Sequence, residues 1–251
     1  MKKVIALLAL FSVAVFAQNT FTDLRDGKKY KSVKIGSQTW MAQNLDYHGE
    51  DGFLGLCYGD QPRNKIKKPE NCQKYGRLYD WNEAKKACPK GWHLPDNNEW
   101  TKLMLFLASN KKDVRYGKGN VQGVTVEYYE NAGKYLKAKS GWNEYDFSEE
   151  SPNAPKCKWT EEEIDNRGRV TVTEHDECTT DEYGFSALPG GGGNPNGSFS
   201  GVGNGGSWWS ASEGGNNSSG AYYRDMSYDG GVIVWVPTPK GNLFSVRCLQ
   251  D

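Results

Sequence analysis

No stretch of this chain is long and apolar enough for a membrane helix: the longest apolar run, residues 4–16, falls short of the ~20 residues a bilayer requires. A charge of one sign is missing too. The 31 Lys and Arg equal the 31 Asp and Glu, and removal of Lys2 and Lys3 would leave a net charge of −2. That balance argues against nucleic acid as a partner. Histidine is scarce: His48, His93 and His175 are scattered, and none has metal-ligand spacing to a Cys or carboxylate. No G-x-S-x-G elbow is present. No catalytic residue, metal or other cofactor is therefore expected. Low-complexity linkers are lacking as well, so residues 18–251 read as one domain.

Two short motifs fail on context. Asp225-x-Ser227-x-Asp229-Gly230 begins like a calcium loop, but Val236 stands where the twelfth-position Glu is needed. Gly201, Gly203 and Gly206 satisfy G-x-G-x-x-G, yet no strand is expected before them and Trp-Trp-Ser follows where a helix should open.

What is present begins with an export signal. Met1, Lys2 and Lys3 form a positive n-region before the apolar run, and Val15-Phe16-Ala17 is an acceptable cleavage site. Residues 1–17 are expected to be a signal peptide, with the product secreted or at the cell surface. No Cys follows the run to take a lipid anchor.

Residues 75–107 organise the fold as helix, turn, helix. Asp96 and Glu99 have capping-box spacing, which predicts a helix from Asn97. Trp100, Leu103, Met104 and Leu107 form its apolar stripe, and Leu105 and Phe106 widen the stripe towards burial nearly all round. Asp80 and Glu83 repeat the signal ahead of Ala84, Ala87 and Cys88, with Pro89-Lys90-Gly91 as the stop. Asp26-Gly27 and Gly36-Ser37 punctuate an antiparallel start. A helix is predicted over 131–139. Strands are predicted over 207–212, 221–228, 232–236 and 243–249. Ten of the 23 residues from Gly184 to Gly206 are glycine, so that segment reads as a long ordered loop.

The phrases FTDLRDGKKYKSVKIGSQTWMAQNLDY, YGRLYDWNEA, CPKGWHLPDNNEW, DEYGFSALPGG, WWSASE and FSVRC, in this order, resemble the Fibrobacter succinogenes major paralogous domain. More remotely, the Cys88-to-Leu94 segment resembles C-type lectin-like domains. GWHLPDNNEW with GGSWW resembles the formylglycine-generating enzyme family. These resemblances imply an α+β fold of C-type lectin-like build, with two helices packed on antiparallel sheets and long ordered loops. They do not imply activity. The enzyme family works with cysteines near its C-terminal end, where this chain has Cys248 alone. Calcium-dependent lectins carry Glu-Pro-Asn or Gln-Pro-Asp and Trp-Asn-Asp triplets. Gln61-Pro62-Arg63 and Trp81-Asn82-Glu83 are near misses in other places.

Six cysteines in an exported chain suggest three disulfides among fifteen pairings. Cys57 and Cys72 flank a Pro- and Lys-containing loop that a local bridge would close. Cys157 and Cys178 bracket a hairpin with alternating Val170 and Val172. The lectin-like resemblance implies Cys88 with Cys248, and strand parity, which places Cys248 on one face with Phe244 and Val246, agrees with it.

The function expected is that of a secreted or surface-displayed binding or adhesion module, with plant or surface polysaccharide as candidate ligand. The alternatives are a scaffold contacting surface proteins through its glycine loop, and an enzyme on a sulfatase-modifying scaffold. Neighbouring strand residues face opposite ways, so one of Trp208 and Trp209 is expected to be exposed. Alternation with Ala211 favours Trp209 inward, and the GGSW resemblance favours Trp208. The exposed indole, extended by Trp142 and Trp159, would form a sugar-stacking platform worth about 1 to 2 kcal/mol per site, weak unless multivalent.

Overall fold

The structure, a computed structural model, describes residues 18–52, 54–121, 124–143, 158–164, 170–176, 179–214, 220–228 and 233–251. The expected signal peptide, Cys157, Cys178 and the turn at Asp229-Gly230-Gly231 lie outside these residues.

Strands β1 (Asn19–Thr22), β2 (Lys29–Ile35) and β3 (Gln38–Met41) open the chain as an antiparallel meander. Helix α1 (Pro69–Tyr75), strand β4 (Leu78–Tyr79), helix α2 (Trp81–Ala87), strand β5 (Trp92–His93) and helix α3 (Asn97–Asn110) follow. Both capping boxes form: Asp80 accepts from the Glu83 amide and Asp96 from the Glu99 amide, each at 2.9 Å, and each Glu reaches back to its cap. Two orphan amides are thus satisfied at each helix start.

Next come β6 (Arg115–Val121), β7 (Val124–Glu130), α4 (Ala132–Leu136), β8 (Lys158–Ile164) and β9 (Val170–Asp176). The β6–β7 hairpin was not expected in this polar region. The predicted hairpin across 158–176 forms, with Lys158 opposite Asp176. The predicted helix at 131–139 shrinks to five residues, since its cap Asn131 is left-handed at φ 60° and Lys137 is already extended.

The chain ends with β10 (Gly190–Gly193), β11 (Phe199–Val202), β12 (Gly205–Gly214), β13 (Gly220–Ser227), β14 (Ile233–Pro239), β15 (Phe244–Ser245) and β16 (Leu249–Gln250). One sheet has the order β1-β2-β3-β16-β5. The larger has the order β11-β10-β12-β13-β14-β7-β6, with β15 pairing β12 and β4. Pairing is antiparallel except where β10 and β15 each meet β12. This is a mixed α+β fold, richer in sheet than in helix.

Two expectations are corrected here. The glycine run is not a loop: Gly190–Gly193 is a strand, because the surroundings leave no room for side chains. A Cβ at Gly192 would lie 3.0 Å from the Phe244 ring, and one at Gly193 would lie 3.1 Å from Leu243. β11 also runs into the G-x-G-x-x-G match, although the glycines lead into strand β12 and not a helix. Second, α3 is buried on one face only. Leu105 is 53% exposed, while Trp100, Leu103, Met104 and Leu107 are fully buried.

Two hydrophobic cores flank β12. One gathers Trp208, Trp40, Phe185, Leu136 and the apolar stripe of α3. The other gathers Trp209, Tyr79, Phe244, Val246 and Cys248 with Trp81, Ala84 and Ala87 of α2. Cys88, at the end of α2, bonds to Cys248 with a Cα separation of 5.9 Å, and Cys57 bonds to Cys72 at 4.9 Å. Two of the three predicted bridges are thus present, and the third, Cys157 with Cys178, lies outside the described residues. No helix among the described residues is long and apolar enough to cross a membrane.

Candidate functional site

A cleft of about 560 Å³ opens among the described residues. One wall is the 57–72 loop, which contributes Gln61, Pro62, Arg63 and Asn64. Its backbone is fixed at several points. The Cys57–Cys72 bridge closes its base, and the buried Asp60 carboxylate accepts from the Cys57 amide at 2.9 Å and the Lys68 amide at 2.6 Å. A 3-10 turn at Pro62–Asn64 is closed by paired backbone bonds between Gln61 and Ile66. Tyr58 packs its ring 5.4 Å from Phe199, which ties the wall to β11.

The opposite wall is the turn joining β10 to β11, with Asn194, Pro195, Asn196 and Gly197. Asn194 and Ser198 close it through a 2.8 Å backbone bond, and the Asn196 side-chain oxygen accepts from the Ser198 amide at 3.0 Å and hydroxyl at 2.8 Å. That leaves the Asn196 amide group as the end carrying donors. Leu56, Asp80, Gly241 and Leu243 complete the lining. Asp80 is there because it caps α2. Its neighbour Glu83 has its carboxyl pKa raised by burial, despite hydrogen bonds from the Asp80 and Gly55 amides.

The lining therefore offers four carboxamides, two prolines, two leucines, one guanidinium and one carboxylate. Such a set can donate and accept hydrogen bonds in pairs while covering C–H surface. It suits a polar, hydroxyl-rich ligand better than an apolar one.

The sequence model of the family described as Fibrobacter succinogenes major domain matches residues 33–250. The chain belongs to this family. Neither the curated proteins nor the solved structures searched contain a match to it.

The family's aromatic residues lie elsewhere than the sequence suggested. Trp208 and Trp209 are both fully buried, and the expected exposed indole is corrected. Alternation does turn them to opposite faces of β12, but each face is covered by its own core. Trp208 donates to the Asn44 side chain at 2.8 Å, and Trp209 donates to the Tyr79 carbonyl at 2.7 Å. Trp142 is half-buried against the first core. It donates to the Ala187 carbonyl at 3.1 Å, with the Lys137 ammonium 4.9 Å from its ring, and it does not line the cleft. The side chain of Trp159 lies outside the described residues.

His93 is half-exposed on β5 between Asp251 and Glu99. Among the described residues no cluster of three His, Cys, Asp or Glu side chains could hold a metal ion. Of the lectin-like near misses, Gln61-Pro62-Arg63 sits on the cleft wall. Trp81 is buried beside it, with its indole donating to the Ser210 carbonyl at 2.8 Å. Arg63 puts a cation where a calcium site would need an acid. Asn64, Asn194 and Asn196 were not anticipated. Asn194 and Asn196 carry only the signal of an Asn beside Pro or Gly, and Asn64, between Arg63 and Lys65, carries none.

Proposed function

We propose that this chain is an exported binding module of C-type lectin-like build that seats a segment of polysaccharide in the cleft between residues 61–64 and 194–197. The observation that carries this reading is the lining: Gln61 and Asn64 on one wall and Asn194 and Asn196 on the other, together with Pro62, Pro195, Leu56 and Leu243. Carboxamides match the paired hydroxyls of a sugar ring, and the pyrrolidine and leucine surfaces match its C–H face. The walls are fixed by the disulfide and backbone bonds, so little order would be lost on binding. Disulfide bonds support an oxidising, extracytoplasmic setting, in keeping with the expected signal peptide. The Cys88–Cys248 link between α2 and the chain's last strands supports the lectin-like build.

Affinity electrophoresis of the purified protein in gels containing a panel of soluble polysaccharides tests the reading. Retardation by at least one polymer is expected, and the Gln61→Ala, Asn196→Ala double variant should lose it while staying folded, with only a small drop in melting temperature from the lost loop bonds. Equal retardation of wild type and double variant, or no retardation by any polymer, would overturn it.

A further inference from the structure

We infer that the cleft selects polysaccharides bearing carboxylates, through Arg63 and the lysines that follow it; this rests on the polysaccharide reading above and names the ligand's charge. Residues 61–68, QPRNKIKK, hold Arg63, Lys65, Lys67 and Lys68 and no acid, in a chain whose overall charge is balanced. All four are exposed. Lys68 stands 3.8 Å from Glu70, whereas Arg63, Lys65 and Lys67 have no side-chain ion pair among the described residues. Arg63 lines the cleft and the three lysines extend the loop at its rim, so their charge is a local field and not a consequence of net charge.

The wall is also rigid. Asp60, the acid nearest this run in sequence, is buried beneath it, gripping the Cys57 and Lys68 amides. Asp80 on the opposite side accepts the Glu83 amide at the start of α2, where the helix end offsets its charge. The guanidinium of Arg63 thus reaches the cleft as a planar fork, and a planar carboxylate is its bidentate complement. Lys65 and Lys67 follow in the same loop, outside the cleft lining, and would meet carboxylates of a repeating acidic polymer that runs on past the cleft. The Asn64 side chain donates to the Gln61 side-chain oxygen at 2.9 Å, so the NH2 groups of Gln61 and Asn196 remain to donate to its hydroxyls.

The test compares three polymers by affinity electrophoresis: polygalacturonate, its fully methyl-esterified form and dextran sulfate. Polygalacturonate should retard the wild-type protein most, and esterification, which removes the charge and keeps the backbone, should weaken retention about tenfold or more. Arg63→Ala with Lys67→Ala should produce a similar loss at unchanged melting temperature. Lys102→Ala with Lys112→Ala, which removes two exposed charges outside the cleft, should leave retention unchanged. Retention should also fall as salt rises, because these cations are exposed. Equal binding of esterified and free polymer would sink the inference and leave the polysaccharide reading intact. Stronger binding of dextran sulfate, or equal losses from the two double variants, would reduce it to unspecific attraction of anions. Binding of no polymer would remove both readings.

Discussion

The Asn44 side-chain oxygen accepts two hydrogen bonds from Arg247, at 3.1 Å from Nε and 2.7 Å from Nη2, joining segments 203 residues apart. Trp208 donates to the same oxygen, and both Asn44 and Arg247 are buried. The guanidinium's other acceptors are the carbonyls of Met41, Phe185 and Ser186, and the Phe185 ring lies 4.5 Å away. Every acceptor is neutral. Burial accordingly pushes the Arg247 pKa down to about 9, with Asp181 opposing from a distance.

Asn44→Ala removes an acceptor shared by three donor nitrogens, two of them on the charged guanidinium. Loss of about 3 kcal/mol or more is expected, read from urea unfolding, because a buried charge is left under-bonded. Arg247→Met should cost less than Asn44→Ala, since it takes away the charge together with the need to solvate it. The reverse order would show that the guanidinium itself, and not its satisfaction, holds the segments together.

The two described bridges close loops of very different size, 15 and 160 residues. Chain entropy assigns about 3 kcal/mol to Cys57–Cys72 and about 5 kcal/mol to Cys88–Cys248. Replacing both cysteines of the short bridge by Ser should lower stability less than the same change in the long one. Polysaccharide retention should instead be lost mainly with the short bridge, which shapes the cleft wall. Chemical unfolding and gel retardation on the two double variants separate these effects.

What the sequence disclosed was what local chemistry decides. Asp80 with Glu83, and Asp96 with Glu99, specify helix starts through bonds spanning three residues, and both formed. Asp26-Gly27 and Gly36-Ser37 likewise marked turns that the structure keeps. Trp208 and Trp209 could not be read the same way. Period-two alternation gives the two faces of β12 but not whether each has a cover, and both covers come from distant segments. The glycine strand was hidden for a related reason: the demand for residues without side chains comes from Tyr75, Tyr58, Leu243 and Phe244 and from the close approach of β11, which only the folded arrangement brings together. The cleft needed the same long-range information, since Asn64 and Asn196 meet only when their loops are brought together. Gln61-Pro62-Arg63 was visible as a motif, and its location was not.

His93 should give stability a pH dependence. Its Nδ1 lies 2.6 Å from Asp251 and its Nε2 lies 2.9 Å from Glu99. Burial opposes its charge, but the hydrogen bonds to both carboxylates prevail and raise its pKa above 6.5. The stabilisation is full below the unfolded value of 6.5 and is lost as pH rises through the folded value. Melting curves of wild type and His93→Gln should therefore converge as pH climbs from 6.5. An imidazole NMR titration midpoint at or below 6.5 would contradict this.

Gly191 and Gly197 both have positive φ, 66° and 87°, yet their Ala variants should differ sharply. A Cβ at Gly197 meets nothing within 4 Å, leaving only the backbone penalty of about 1 kcal/mol. At Gly191 it would lie 2.5 Å from the Ser200 carbonyl and 2.7 Å from the Val202 amide, both main chain. Overpacking of about 1 to 3 kcal/mol then adds to the same penalty. Equal unfolding midpoints for the two variants would mean that β10 and β11 move apart freely.

Trp208→Ala and Trp209→Ala distinguish core from platform. Each removes a fully buried indole and its hydrogen bond, so each should cost about 3 to 5 kcal/mol. Their partners differ: Trp208 packs with Trp40 and α3, while Trp209 packs 4.6 Å from Phe244, on the side of α2. Neither variant, assayed well below its melting temperature, should selectively weaken polysaccharide retention, because neither indole reaches the cleft. Asn196→Ala should behave in the opposite way, with retention weakened and melting lowered by far less than in either Trp variant, since it removes only the two bonds from Ser198 on an exposed turn. Selective loss of retention in either Trp variant would return the binding surface to the tandem indoles and away from the loops at 61–64 and 194–197.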